Sequence, residues 1–268
     1  MIKAAVLGSP ISHSLSPALH KRAYELLDIP ASYTAVELTP ERSLEFFAAA
    51  LDEDWTGFSL TMPLKETIFD LAQSLDFEIE PISSRMRSAN TVMKVGNIFR
   101  ASSTDRTGFI RLLEDVKKDR VAVIGGGGTA RAALGALDGS ARNIDFLIRN
   151  PARAQTLSTI ASSSSVDFFG MDHSLEGYDL VISTVPAGAS DSIAENLTFI
   201  IPTFFEVLYD PYPTPLLAKT ISLGSEVLDG IDLLVEQALD QIRLFSATSF
   251  DMNSMRQELI TVGRRELR

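Results

Sequence analysis

The chain has 268 residues, 45% hydrophobic and 22% charged, with 24 lysines and arginines against 35 aspartates and glutamates, a formal net charge of −11. That apolar content excludes a disordered chain, the length suits one large domain or two modest ones, and an acidic surface argues against nucleic acid as the main partner while leaving room for a local basic pocket. The absence of cysteine excludes disulfides, thiolate catalysis, Fe–S clusters and cysteine-ligated zinc.

The chain opens on Met1-Ile2-Lys3 and a short apolar run stopped at Gly8-Ser9-Pro10, without the apolar region or cleavage site of a signal peptide. No stretch reaches the ~18 apolar residues that span a bilayer. A cytoplasmic protein without membrane contact is expected. Ala4–Leu7 reads as a buried strand, followed by a polar loop and a helix from near Pro17. Tyr33–Leu38 is the next strand, and Pro40 opens a helix with Leu44, Phe47, Ala48 and Leu51 on one face. Gly57–Thr61 is a third strand, ending at Met62-Pro63 where another helix begins. Ala89–Val95 and Ile98–Ser103 form a hairpin turned at Gly96-Asn97.

A second unit begins near Arg111. Strand Arg120–Ile124 runs into Gly125-Gly126-Gly127-Gly128, and an alanine- and leucine-rich helix follows from Thr129. Next come strand Ile144–Ile148, helix Pro151–Ala161, and strands Val166–Phe169, Leu180–Val185, Phe204–Leu208 and Val227–Leu228. The serine run Ser162–Ser165 reads as a loop, and Leu233–Phe245 is helical by period. This alternation is that of an α/β protein in two lobes.

Gly125-x-Gly127-x-x-Ala130, between a strand and a helix, has the form of a dinucleotide loop. Glycine permits the tight turn, the second glycine admits a pyrophosphate, and the helix N-terminus offers oriented N–H groups. A site for the cofactor with an unmodified ribose carries a carboxylate about 20 residues on. Here the next strand ends in Ile148-Arg149-Asn150-Pro151-Ala152-Arg153, two arginines whose guanidinium groups suit a 2′-phosphate, so NADP is expected over NAD. In the first lobe Ser14, Ser16, Thr61, Lys65, Asn90 and the pair Thr104-Asp105 fall at strand ends or in the loops after them, where α/β sheets bind ligands. Hydroxyls, an amide, a carboxylate and a lysine suit a small polyhydroxylated substrate. Each residue also has a plain structural reading: Lys65 as a solvated helix-start lysine, Ser14 and Ser16 as caps, Asn90 as a turn residue, Asp105 as a cap for a helix near Gly108. His13, His20 and His173 are too scattered for a metal cage, and no HExxH spacing occurs.

Taken in order, these motifs resemble the shikimate dehydrogenase family from end to end. Gly8-Ser9-Pro10-Ile11-Ser12-His13-Ser14-Leu15-Ser16-Pro17 with His20 is similar to that family's opening, Thr61-Met62-Pro63-Leu64-Lys65 to its T-x-P-x-K motif, and Ala89-Asn90-Thr91 and Thr104-Asp105 to its next two. Gly125 through Ala132 resembles its glycine loop, Tyr209-Asp210-Pro211 with Thr214-Pro215-Leu216-Leu217 its Y-x-P…T-P-L-L segment, and Gly230 through Gln237 its late G…L…Q segment.

The resemblance implies reversible, NADPH-dependent reduction of 3-dehydroshikimate to shikimate, in aromatic amino acid biosynthesis. Lys65 and Asp105 would be the catalytic pair, either of them carrying the proton. Ser14, Ser16, Thr61, Asn90 and Gln237 would hold the substrate. Gly125, Gly127, Gly128, Thr129, Ala130, Arg149, Arg153 and Gly230 would hold NADP. It implies a substrate lobe over residues 1–103, completed by helices within 233–268, and a doubly wound Rossmann-type lobe over 104–232, with the site in the cleft between them, in a monomer or homodimer. Departures from the family pattern are Ser103 for its asparagine, Arg106 for its glycine, Lys21 for the asparagine after His20, Leu233 for a methionine, and Ser183-Thr184-Val185-Pro186-Ala187-Gly188-Ala189 for N-A-T-x-x-G-M. The alternatives are a paralogue acting on quinate or a related cyclohexane carboxylate, a folate dehydrogenase of similar architecture, which the Ser14/Ser16 loop and Asp105 disfavour, and a catalytically weak NADP-binding regulatory protein.

Overall fold

A computed structural model describes residues 1–267. The chain divides into two compact units, one of Met1–Gly108 with Leu234–Glu266, the other of Phe109–Leu233.

The first unit runs β1 (Ile2–Gly8), α1 (Ser16–Leu26), β2 (Ala31–Glu37), α2 (Pro40–Ala50), β3 (Gly57–Leu60), α3 (Leu64–Leu71), β4 (Phe77–Ile79), α4 (Pro81–Met86), β5 (Thr91–Val95), β6 (Ile98–Ser102) and α5 (Thr104–Leu112). Its sheet has the order β2-β1-β3-β5-β6-β4, with β5 antiparallel to both its neighbours and the other pairs parallel. All four residues of β3 are buried, as expected of a strand covered on both faces. Side chains alternate along it. Phe58 and Leu60 enter an apolar cluster with Phe47, Phe99 and Ile68, where Phe47 meets Phe58 and Phe99 edge-on at 5.5 Å. Ser59 and Gly57 face the other way. A Cβ on Gly57 would lie 2.6 Å from a ring carbon of Phe245, so glycine there lets a helix settle directly on the strand.

The second unit continues with β7 (Arg120–Ile124), α6 (Gly128–Leu137), β8 (Asn143–Leu147), α7 (Arg153–Ser158), β9 (Ser165–Phe169), β10 (Leu180–Ser183), α8 (Asp191–Asn196), β11 (Thr203–Glu206), α9 (Pro215–Leu223) and β12 (Glu226–Leu228). Its sheet, β12-β11-β10-β7-β8-β9, is parallel throughout. This is the doubly wound order, with the topological switch point between β7 and β10. The chain then passes through α10 (Gly230–Ser246), which supplies Phe245, to α11 (Met252–Glu266). Among the described residues no helix is long and apolar enough to cross a membrane.

Local chemistry shifts several expected boundaries. The Asn150 side chain accepts the Ala152 N–H at 3.0 Å, making Pro151-Ala152 a turn, so α7 starts at Arg153 rather than Pro151. Strand β10 ends at Ser183, two residues early, where the Thr184 hydroxyl turns back onto the Ile124 carbonyl at 2.9 Å. Helix α5 begins at Thr104, not near Gly108. Its cap is Ser103, whose Oγ accepts the Arg106 N–H at 3.3 Å, and Asp105 lies inside the first turn. Neither Ser14 nor Ser16 is the cap of α1; that position is Leu15, without a side-chain bond.

Candidate active site

In the first unit the chemistry-bearing residues lie at the carboxyl edge of the parallel strands. Thr61 follows β3, Lys65 is in the first turn of α3, and Thr104-Asp105 opens α5 directly after β6. Strand β5 runs the opposite way, so its first residue, Thr91, and Asn90 just before it come to the same edge.

Lys65 Nζ donates to Asp105 Oδ2 at 2.6 Å. The lysine side chain is 16% exposed and the aspartate 6%. Asn90 holds the other side of the carboxylate, its Nδ2 donating to Asp105 Oδ1 at 3.0 Å and to Thr104 Oγ1 at 2.9 Å, while its Oδ1 accepts the Asp105 N–H at 3.1 Å. A backbone N–H can only donate, so this last contact fixes which way the amide faces. Gln237 Oε1 stands 3.3 Å from Asn90 Nδ2, and Gln237 Nε2 donates to the Leu234 carbonyl. Asn90 is tied into the sheet by its own backbone, donating to Ser102 and accepting from Leu60. Lys65, Asp105, Asn90 and Gln237 are thus one hydrogen-bonded group. The remaining expected substrate residues make local contacts. Ser14 Oγ accepts the Ser16 N–H at 3.4 Å, and the Thr61 carbonyl accepts the Leu64 N–H that opens α3.

Sequence reasoning missed the layer behind this group. Ser59, Thr91 and Gln241 are buried polar residues bonded to one another and to His20, Tyr33 and Asn90. Burial holds His20 neutral, its pKa pulled down to about 3 against the opposing hydrogen bond from Gln241. The Tyr33 ring stacks on His20 at 3.8 Å.

In the second unit the glycine loop lies at the switch point. Gly125 has φ +115°, and a Cβ there would sit 2.4 Å from Thr184 Oγ1 and 3.2 Å from Val185 Cγ1. A side chain would collide with the neighbouring strand end, so glycine is required. Gly127 is the N-cap of α6, in extended backbone, and Gly128, Thr129 and Ala130 form the first turn, the arrangement that offers N–H groups to a phosphate. Arg149 is exposed beyond the end of β8, and Arg153 is the first residue of α7. A Cβ on Gly126 would meet Arg153 Cβ at 3.2 Å, so the loop and α7 are in close approach. These residues fit a dinucleotide with a charged ribose substituent. Gly230 has a local packing role of its own: a Cβ there would lie 2.3 Å from the Val207 carbonyl oxygen.

A family model described as the shikimate dehydrogenase substrate binding domain matches residues 6–92. A shikimate dehydrogenase (NADP(+)) of Ignicoccus hospitalis is 31% identical over 254 residues, 91% of this chain and 93% of the relative. One from Methanococcoides burtonii is 29% identical over 96% of both. Among solved structures, shikimate dehydrogenase of Mycobacterium tuberculosis superposes with a TM-score of 0.85 at 30% identity, covering 97% of this chain and 99% of the other. The Thermus thermophilus shikimate 5-dehydrogenase, solved in complex with NADP(H) and shikimate, gives 0.84 at 28% identity and full coverage of both chains. With the Lys65–Asp105 group in one unit, the doubly wound glycine-loop sheet in the other, and this agreement along the whole chain, the protein belongs to the shikimate dehydrogenase family.

Proposed function

We propose that this chain catalyses the reversible, NADP-dependent interconversion of 3-dehydroshikimate and shikimate, with Lys65 and Asp105 as its catalytic pair. The observation that carries the reading is the 2.6 Å Lys65–Asp105 contact braced by Asn90, in a member of this family. NADPH, when bound, supplies the hydride that reduces the substrate ketone. Gly125, Gly127, Gly128, Thr129 and Ala130 would hold its pyrophosphate, Arg149 and Arg153 its 2′-phosphate, and Gly230 would border it.

Lys65 is the more exposed member of the pair, and both Asp105 oxygens already accept hydrogen bonds from Lys65 and Asn90. Lys65 therefore carries the proton. Its ammonium gives a proton to the ketone oxygen in reduction, and the neutral amine takes one from the hydroxyl in oxidation. Asp105 orients the lysine through their charge-assisted hydrogen bond. Ser14, Ser16, Thr61, Asn90 and Gln237 supply hydroxyl and amide donors for the substrate's carboxylate and hydroxyls.

Steady-state kinetics of Lys65→Met test the assignment. General acid–base catalysis is typically worth about 10²- to 10⁴-fold, and kcat should fall by that order with a smaller change in KM. A raised KM with kcat retained would make Lys65 a binding residue only.

A further inference from the structure

Gln241 is fully buried and lies one helical turn beyond Gln237 on α10, on the same face. Its Nε2 donates to the Asn90 carbonyl oxygen at 3.3 Å and to Thr91 Oγ1 at 2.9 Å. Its Oε1 accepts from Ser59 Oγ at 2.8 Å and faces His20 Nε2 at 3.3 Å. A carbonyl can only accept, so the contact with Asn90 fixes the orientation of the amide.

The polarity of its contacts with His20, Ser59 and Thr91 then follows. His20 carries its proton on Nε2, and its Nδ1 accepts from the Tyr24 hydroxyl at 3.2 Å. Ser59 donates to Gln241 and accepts from the Tyr33 hydroxyl at 2.6 Å. Thr91 Oγ1 accepts from Gln241 and shares a hydrogen bond with Thr104 Oγ1 at 2.9 Å. Thr104 Oγ1 in turn accepts from Nδ2 of Asn90, the residue that holds the Asp105 carboxylate. One planar amide directs contacts from α1, β3 and β5, and through them reaches the opening of α5.

We propose that Gln241 is a positioning residue: without touching the reacting atoms, it anchors the hydrogen-bonded group of Thr91, Thr104 and Asn90 that aims Asp105 at Lys65. The proposal rests on the reading of Lys65 and Asp105 as the catalytic pair. Glutamine is suited to this place because one neutral group gives an acceptor to Ser59 and His20 and a donor to Thr91 and Asn90. Methionine keeps the length and supplies neither. Glutamate keeps the shape, but when ionised it has no proton to donate. It would set a charge against the Asn90 carbonyl and turn the Thr91 hydroxyl proton toward itself. Protonated, it regains one donor.

The titratable groups facing position 241 are His20 and Tyr24 of α1 and Tyr33 of β2, with Asp105 and Lys65 beyond Asn90. His20 is the nearest of them, and it stays neutral above about pH 3 in the wild-type protein.

The test is shikimate oxidation with NADP+ by wild type, Gln241→Met and Gln241→Glu, each with kcat, KM, a kcat–pH profile, NADPH binding by fluorescence and a thermal unfolding curve. Misplacing a catalytic group from a distance costs up to about 100-fold, and a fall in kcat of roughly 10- to 100-fold is expected, larger than the rise in KM and with NADPH binding unchanged. Gln241→Glu should regain kcat as pH is lowered, a limb absent from wild type and Gln241→Met. A lower melting temperature with kcat unchanged would overturn the proposal and leave Gln241 a structural residue, as would a pH profile of Gln241→Glu parallel to wild type. Should Gln241→Met fail to fold, the Gln241→Glu profile decides alone. An inactive wild type would instead defeat the catalytic reading itself, and this proposal with it.

Discussion

Asp105→Asn is a change of a few atoms that the site cannot absorb. The carboxylate accepts from Lys65 on one oxygen and from Asn90 Nδ2 on the other. An amide has one oxygen and one NH2, so whichever way it turns, either Lys65 or Asn90 faces a donor. Asn90 cannot flip in response, because its Oδ1 is committed to the backbone N–H of residue 105. The variant loses one hydrogen bond to a charged group, worth about 1.5 to 3 kcal/mol, and strands a donor at about 1 to 3 kcal/mol. Lys65 is 16% exposed and can recover part of this in water, so a net loss of about 2 to 4 kcal/mol is expected. Thermal unfolding followed by circular dichroism measures it, and a fall of roughly 2 to 4 °C per kcal/mol is the scale for a chain of this size. Turnover should drop with stability, since the lysine loses its orienting charge. Stability and kcat both near wild type would refute the reasoning, because it would mean the amide finds a partner on each side.

Arg149→Ala should weaken NADPH far more than NADH in a direct binding titration; equal effects on the two would defeat the assignment of Arg149 to a 2′-phosphate. Gly125→Ala places a methyl 2.4 Å from Thr184 Oγ1 at φ +115°, a strain of about 1 to 3 kcal/mol, and should lower both the melting temperature and NADPH affinity; an unaffected titration would show that the loop shifts freely. Asp138 clasps the serine loop, accepting from the N–H groups of Ser162, Ser163 and Ser164 at 2.9 to 3.0 Å. Burial works against this carboxylate, but those donors outweigh it and hold its pKa below the usual 3.8. Its stabilising effect is therefore full above that value and lost as pH falls through the lower folded one. Asp138→Ala should cost about 1 to 2 kcal/mol at neutral pH and flatten the acid limb of a stability–pH curve; a parallel curve would refute the clasp.

The alternation of short apolar runs with helix-length segments makes both sheets legible, because a parallel strand buried on two faces leaves a run such as Val121–Ile124 that little else explains. Strand β4 is not legible, since three residues, Phe77–Ile79, are too few to show a period. The directly bonded group of Lys65, Asp105 and Asn90 stands out as motifs at strand ends. The layer behind it does not, because glutamine on a helix is ordinarily solvated. The signal available is position: Gln241 follows Gln237 by one turn on a helix whose neighbours Ala238 and Ile242 are buried. Ser59 is hidden in the same way, a small polar residue inside a strand that reads as apolar. The departures are easier to judge in place. Ser103 caps α5, Leu233 is buried, and Val185 abuts the glycine loop.

The most direct test of the account is a set of initial rates followed by NADPH absorbance, with shikimate and quinate each offered NADP+ and NAD+. Shikimate with NADP+ should be the fastest pair by a wide margin. Preference for quinate with NAD+ would contradict both the substrate and the arginine assignments, and no turnover with any pair by a protein that binds NADPH would contradict the catalytic role of Lys65 and Asp105.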